Sequence, residues 1–220
     1  SDLAGAGLGL PGPVMPDGFV GVCVNLGWKN KNPQKELSAL LDGALVRTGN
    51  DANVAALGEM WQGGGKGFSD IVMVTLGTGV GGGVILDKKI VAGKHGTGGE
   101  IGHLRIRYGC LEQVASATGI AREARRAMEQ DSSDTEMRKF GADITAKDVL
   151  DCAKAGDAMA CRVMDTVFYY LGWALSVVSM TVDPEVFVIG GGVSRAGSFL
   201  TEGIRKYFDQ FTTLSDQKAE

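Results

Sequence analysis

The amino-acid sequence predicts an α/β fold in two lobes, on three observations. Strand-like and helical stretches alternate along both parts of the 220 residues, the pattern of helices packed on sheets. Thirty-four glycines, without a collagen-like period, mark the turns between them. The cluster Gly63-Gly64-Gly65-Lys66-Gly67 closes one run of elements, and a β-hairpin pattern opens after it. This change of character places a lobe boundary between residues 51 and 65, and we divide the chain as 1–55 and 56–220.

The elements follow in order. Residues 3–10 mix small and aliphatic side chains and then meet Pro11-Gly12-Pro13, as a buried strand does when it stops in a turn. Residues 19–24 read as the next strand. Pro33 opens a helix through Leu41, its fixed φ suiting the first helical position. Residues 44–48 form a strand running into Gly49-Asn50-Asp51, and 52–61 are helical. From Asp70 a strand, a glycine turn and a second strand lead to Asp87-Lys88. Beyond a glycine-rich connector, residues 111–129, 146–155 and 157–182 are helical, 185–189 an apolar strand, Gly190-Gly191-Gly192 a turn and 196–208 a final helix. The most apolar run, 166–182, is short for a membrane span and is bounded by Asp165 and Asp183, so it reads as a buried core helix.

Composition narrows the function. Hydrophobic residues are 44% and charged residues 22%, ordinary values for a globular protein. A net charge of -4 argues against nucleic acid as the partner, because binding a phosphate backbone needs a clustered positive surface. Cys23, Cys110, Cys152 and Cys161 are scattered and follow no secretory pattern, which makes a reducing cytoplasm the expected compartment.

Four stretches carry chemistry. Gly77-Thr78-Gly79-Val80-Gly81-Gly82-Gly83 lets backbone N–H groups face phosphate oxygens without a Cβ in the way. It matches G-x-G-x-x-G, but Val84-Ile85-Leu86 continues as a strand, whereas a dinucleotide fold needs a helix there. On its own it is equally a hairpin without a ligand. Asp51 sits where a strand passes into a helix and is either an N-cap or a general base, with Asn50 beside it offering both donor and acceptor. Glu100, His103 and Glu112 supply the carboxylates and imidazole that bind polyols, although each taken singly is as readily structural. Gly190-Gly191-Gly192 follows a strand and precedes a helix, where a planar base could lie against backbone; the alternative is a plain tight turn.

Together and in this order these blocks resemble the ROK family of sugar kinases. Leu8-Gly9-Leu10-Pro11-Gly12-Pro13-Val14, Asn50-Asp51-Ala52-Asn53, Thr75 through Gly83, Gly99-Glu100-Ile101-Gly102-His103, Gly109-Cys110-Leu111-Glu112 and Val188 through Ser194 carry the resemblance, which covers nearly the whole chain. Its glucokinase branch is suggested by Asn25-Leu26-Gly27-Trp28, Ala55-Ala56-Leu57-Gly58-Glu59 and Ser116-Ala117-Thr118-Gly119.

The resemblance implies an actin-like ATPase (ribonuclease H-like) two-lobed kinase fold, with 1–55 the remainder of a small lobe and 56–220 the large lobe. It implies ATP-dependent phosphorylation of glucose at the 6-hydroxyl, in glycolysis, by a dimer; neither nucleic acid nor membrane is expected as a partner, on the net charge and the short apolar run above. Asp51 would be the catalytic base, and Asn50, Glu100, His103 and Glu112 would hold the sugar. Gly77, Thr78 and Gly79 would bind the ATP phosphates, Gly190, Gly191 and Gly192 the adenosine, and Mg2+ would accompany ATP. The alternatives are a kinase for another sugar, such as fructose or N-acetylmannosamine, and the sugar-sensing domain of a ROK repressor. Two features depart from the family pattern. The phosphate loop D-x-G-G-T that opens family kinases is absent, from which an incomplete N-terminal lobe is expected. Of a family zinc site reading G-H and then C-x-C-G-x-x-G-C, only His103 and Cys110 are present, so zinc is expected only if a cysteine-bearing loop is missing from the sequence.

Overall fold

A computed structural model describes residues 3–212 and 219. The chain divides into two compact units, Ser1–Met73 with Gly82–Glu100, and Val74–Gly81 with Ile101–Glu220.

The first unit begins with β1 (Ala6–Leu10), β2 (Val20–Cys23), β3 (Trp28–Lys31), α1 (Pro33–Leu40), β4 (Val46–Asn50) and α2 (Asp51–Gln62). β1 and β4 pair in parallel, with Leu10 opposite Asn50. β2 and β3 form an antiparallel hairpin, Val20 opposite Lys31. They close a small core in which Leu10, Val14, Val20 and Cys23 are buried and Leu8 and Trp28 pack alongside. Trp28-Lys29-Asn30-Lys31 contains one apolar residue, so nothing in its pattern announces β3; the free edge of β2 recruits it across a turn in which Gly27 takes a φ of 64°. α1 starts as expected, with Pro33 in its first turn and the Asn32 side chain accepting the Lys35 N–H.

The chain continues through β5 (Ile71–Leu76), β6 (Val80–Leu86), β7 (Lys89–Ile90), β8 (Arg105–Ile106), β9 (Gly109–Cys110), α3 (Glu112–Ala115), α4 (Ala117–Gln130), α5 (Ala146–Lys154), α6 (Ala158–Val182), β10 (Val186–Gly190) and α7 (Ser198–Phe211). In the first unit β6 turns back into β7, with Ile85 opposite Ile90. In the second, β10 runs beside β5 and β5 beside β6. Ile71, Val72, Met73, Val74 and Leu76 are all buried, the apolar run, interrupted by half-buried Thr75, of a strand covered on both faces.

Around α6 the second unit packs α3, α4, α5 and α7. α6 is long and apolar enough to cross a membrane, yet more than half of its most apolar window is buried in this packing. Its closest partner is α7, and two glycines set the approach. A Cβ on Gly172 would lie 2.7 Å from Phe208 N, and one on Gly203 would lie 2.5 Å from the Phe168 ring. Phe168 and Phe199 then meet edge to face at 5.5 Å, an arrangement that aligns ring edge with ring face.

The helix expected over residues 111–129 is two helices. Ser116 is extended (φ −73°, ψ 162°), so it ends α3 and caps α4 by accepting the Gly119 N–H through its hydroxyl at 3.0 Å. α6 is capped in the same way by Asp157, which accepts the Ala160 N–H at 2.9 Å, the Glu136 N–H at 2.8 Å and the Thr135 hydroxyl at 2.9 Å. Partial burial pushes this carboxyl up, but the Ala160 and Glu136 N–H groups and the Thr135 hydroxyl outweigh it and hold it below the ordinary aspartate value. A depressed pKa contributes stability that is full above the unfolded aspartate value and lost as pH falls through the folded one. Asp157→Ala is therefore expected to destabilise the protein by about 1–2 kcal/mol at pH 7, with the gap to wild type closing below about pH 4. Urea unfolding at pH 7 and pH 3 measures both values, and an equal gap at the two pH values would refute the assignment.

Candidate active site

In the first unit, parallel pairing carries β4 to its end beside the turn that follows β1. Asn50 Nδ2 donates to the Gly12 carbonyl at 3.2 Å, tying the two strand ends together. Asn50 Oδ1 accepts the Asn53 N–H at 3.0 Å, so Asn50 is the N-cap of α2. The cap that could have occupied Asp51 thus falls to its neighbour. Asp51 stands in the first turn of α2, exposed, with Oδ1 accepting the Ala52 N–H at 2.9 Å. The positive end of the helix favours its carboxylate there. Asn50 keeps one amide proton and one acceptor lone pair beyond these bonds.

Two more glycines shape this unit. A Cβ on Gly83 would come 2.7 Å from Ala56 Cβ and 3.3 Å from Asn53 Oδ1, so Gly83 lets α2 lie against β6. Asn53 itself is buried, and its Oδ1 has no partner among the described residues. A Cβ on Gly99, whose φ is 88°, would lie 3.0 Å from Gly82 O, and half-buried Glu100 follows directly.

In the second unit the bend between β5 and β6 is built from Gly77, Thr78 and Gly79; Gly81, Gly82 and Gly83 belong to the strand. Gly77 N–H donates to Gly79 O at 3.0 Å and closes the bend. From the start of α4, the Ala117 N–H donates to Gly77 O and the Thr118 hydroxyl to Thr78 O, both at 2.8 Å. From the start of α3, Glu112 Oε2 accepts the Val80 N–H at 3.0 Å. A Cβ on Gly79 would stand 2.4 Å from that oxygen, so glycine is what lets the carboxylate reach the bend.

Other predicted residues converge on the same strand ends. Gly102 packs so tightly on Val80 O that a Cβ would lie 2.1 Å from it, and exposed His103 follows at the end of a 3-10 turn, Ile101–His103. Gly191 (φ 85°) packs on Leu76, where a Cβ would meet its carbonyl oxygen at 2.5 Å. Gly190 is the last residue of β10, and Gly192 opens a 3-10 turn, Gly192–Ala196, ahead of α7. The second unit thus gathers Gly77–Gly79, His103, Glu112 and Gly190–Gly192, whereas Asn50, Asp51 and Glu100 lie in the first. Between His103 and Cys110 the chain forms the β8–β9 hairpin, Arg105 opposite Cys110 with Arg107 and Tyr108 at the tip. Among the described residues no three His, Cys, Asp or Glu side chains are grouped to hold a metal ion. His103 and Cys110 alone do not make a closed tetrahedral zinc site.

Ser116 and Thr118 enter this site without having been read as functional from the sequence. The signal was present: a serine three residues before Gly119, ahead of an apolar-periodic run, is an N-cap pattern.

The chain is similar to known proteins along most of its length. A glucokinase of Halalkalibacterium halodurans is 43% identical over 96% of this chain and 68% of its own length. The crystal structure of a ROK family glucokinase from Streptomyces griseus, in complex with glucose and AMPPNP, superposes with a TM-score of 0.83 at 29% identity, covering 100% of this chain and 75% of that one. A ROK family transcriptional regulator, a homologue of the E. coli MLC protein, superposes at 0.84 with 29% identity, over 94% of this chain and 54% of its own. The ROK family model matches residues 1–219, and the chain belongs to the ROK family.

Proposed function

We propose that the protein carrying this chain is an ATP-dependent glucokinase that phosphorylates the 6-hydroxyl of glucose. The observation that carries the reading is the 43% identity to a glucokinase along 96% of the chain, joined to an Asp51 carboxylate relieved of capping by Asn50. The remainder of a small lobe, 1–55, would carry Asp51 and Asn50, and the large lobe, 56–220, would carry Glu100, His103, Glu112 and the nucleotide turns.

Asp51 accepts the proton of the sugar hydroxyl as its oxygen bonds to the γ-phosphorus and the bond to ADP breaks. Asn50, Glu100, His103 and Glu112 hold the sugar; Glu112 uses Oε2 on Val80, which leaves Oε1 for a hydroxyl. Gly77, Thr78 and Gly79 take the phosphates, in a bend whose carbonyl oxygens are engaged by protein donors. Gly190–Gly192 take the adenosine. Mg2+ would accompany ATP and, when bound, would offset the charge of the phosphates. Because phosphoryl transfer asks little covalent chemistry of the protein, one base, one clamp and one phosphate bend are sufficient. The enzyme would be a cytoplasmic dimer serving glycolysis, and the same clamp admits another hexose or N-acetylmannosamine as a competing substrate. Similarity to a transcriptional regulator favours a second reading, in which the chain is a sugar-sensing domain and no phosphoryl transfer occurs.

A coupled assay on the intact protein separates these. ATP-dependent formation of glucose 6-phosphate, with glucose preferred in competition against mannose, fructose and N-acetylmannosamine, is expected; sugar binding without turnover would establish the sensor. Asp51→Asn is expected to lower kcat by about 10²–10⁴-fold while leaving glucose affinity nearly intact, and wild-type turnover in that variant would remove Asp51 as the base. Glu112→Gln retains an acceptor for Val80 but loses charge toward the sugar, so glucose affinity and discrimination against mannose should both fall. Unchanged values for both would remove Glu112 from the clamp.

A further inference from the structure

We propose that Thr118 is a positioning residue for the nucleotide phosphates, acting through the orientation of the Gly77–Gly79 bend; the inference rests on the kinase reading above. A peptide unit is planar and trans, so its C=O and N–H point in opposite directions. Fixing a carbonyl therefore fixes the N–H that follows it. The Thr118 hydroxyl holds the Thr78 carbonyl at 2.8 Å, which turns the Gly79 N–H the opposite way. The Ala117 N–H holds the Gly77 carbonyl at 2.8 Å and does the same for the Thr78 N–H. The next peptide is fixed at both ends, Gly79 O by the Gly77 N–H and the Val80 N–H by Glu112. Thr78 and Gly79 thus present two adjacent N–H groups on the side away from α4, the arrangement that an anion needs.

The hydroxyl of Thr118 is itself aligned. Its proton goes to Thr78 O, so the 3.0 Å contact with Ser116 is a bond donated by Ser116 Oγ. Ser116 Oγ in turn accepts the Gly119 N–H. The result is a directed chain, Gly119 N–H to Ser116 to Thr118 to Thr78, in which each bond polarises the next. Ser116 is buried at 1% exposure, and Gly119 cannot carry a side chain, since its Cβ would lie 2.7 Å from Gln113 O. The anchor at the base of this chain is therefore rigid, while the bend it orients contains two glycines and would otherwise be free to rotate its peptides. α4 is 14 residues long, and its positive end lies on the carbonyl side of the bend. Thr118 needs no contact with the nucleotide to exert this effect.

The test uses the intact protein with Thr118→Val, which keeps the shape of the side chain and removes the hydroxyl, and Thr118→Ser, which keeps the hydroxyl. Thr118→Val is expected to raise the KM for ATP roughly tenfold, the scale of one lost hydrogen bond, with the KM for glucose within about twofold of wild type. Thr118→Ser is expected to restore the ATP value. Thr118→Ala carries the same expectation as Thr118→Val and serves if the valine variant does not fold. Unchanged KM for ATP in the variants without the hydroxyl, an equal rise in both KM values, or failure of Thr118→Ser to restore would each overturn the inference. A wild-type protein with no phosphorylation of any hexose would remove the kinase reading itself, and the inference with it; that outcome is recognisable before any variant is made.

Discussion

A bend that offers N–H groups to a ligand must place its carbonyl oxygens elsewhere, because every peptide unit carries both and a buried, unpaired carbonyl is costly. In this chain the problem is solved where β5 meets β6. The carbonyls of Gly77, Thr78 and Gly79 accept from Ala117, Thr118 and Gly77, and the Val80 N–H is taken by Glu112. The surroundings follow from that arrangement. Ser116 must break the helical run so that α4 begins with free N–H groups under the bend, Gly79 must lack a Cβ so that Glu112 can reach Val80, and Gly102 and Gly191 must lack one so that their segments can close on Val80 and Leu76.

The helices of the second unit hold this geometry still. α3 and α4 carry Glu112 and Thr118, and both helices rest on α6, which also packs on α7. Gly172 and Gly203 allow α6 and α7 to approach closely enough for Phe168 and Phe199 to meet edge to face, and Phe208 of α7 meets Phe187 of β10 in the same way. Close packing of this kind resists displacement, which is what a bend of small residues cannot do for itself. The apolar character of α6 thus serves the site indirectly, by anchoring the two short helical starts that touch it.

The first unit uses a different device for its carboxylate. Parallel pairing of β1 with β4 sets Leu10 beside Asn50, and the Asn50 side chain then bridges Gly12 and the start of α2. A single amide does the capping and the strand-end bonding. Asp51 is left exposed at the helix start, with its carboxylate free of the capping bond. Sugar kinase chemistry, on the reading proposed here, needs a carboxylate in that condition.

Sequence by itself determined most of the element order. Periodicity, Pro33, the glycine clusters and the apolar run of β5 announced their elements because each is a local preference written in neighbouring residues. The motifs also announced which residues could do chemistry: Asn50 with Asp51, the bend at Gly77, and the stretch from Glu100 to Glu112. Only the tertiary structure decided how they share the work. The Asn50 side chain that caps α2 also bonds Gly12, 38 residues away. The existence of β3 depends on the edge of β2, and the division of residues 111–129 into two helices on Ser116 adopting an extended backbone. Thr118 acquires its role from a carbonyl 40 residues earlier in the chain. Hydrogen bonds of this range leave no periodicity in sequence, since either partner looks ordinary among its own neighbours; folding alone brings donor and acceptor within bonding distance.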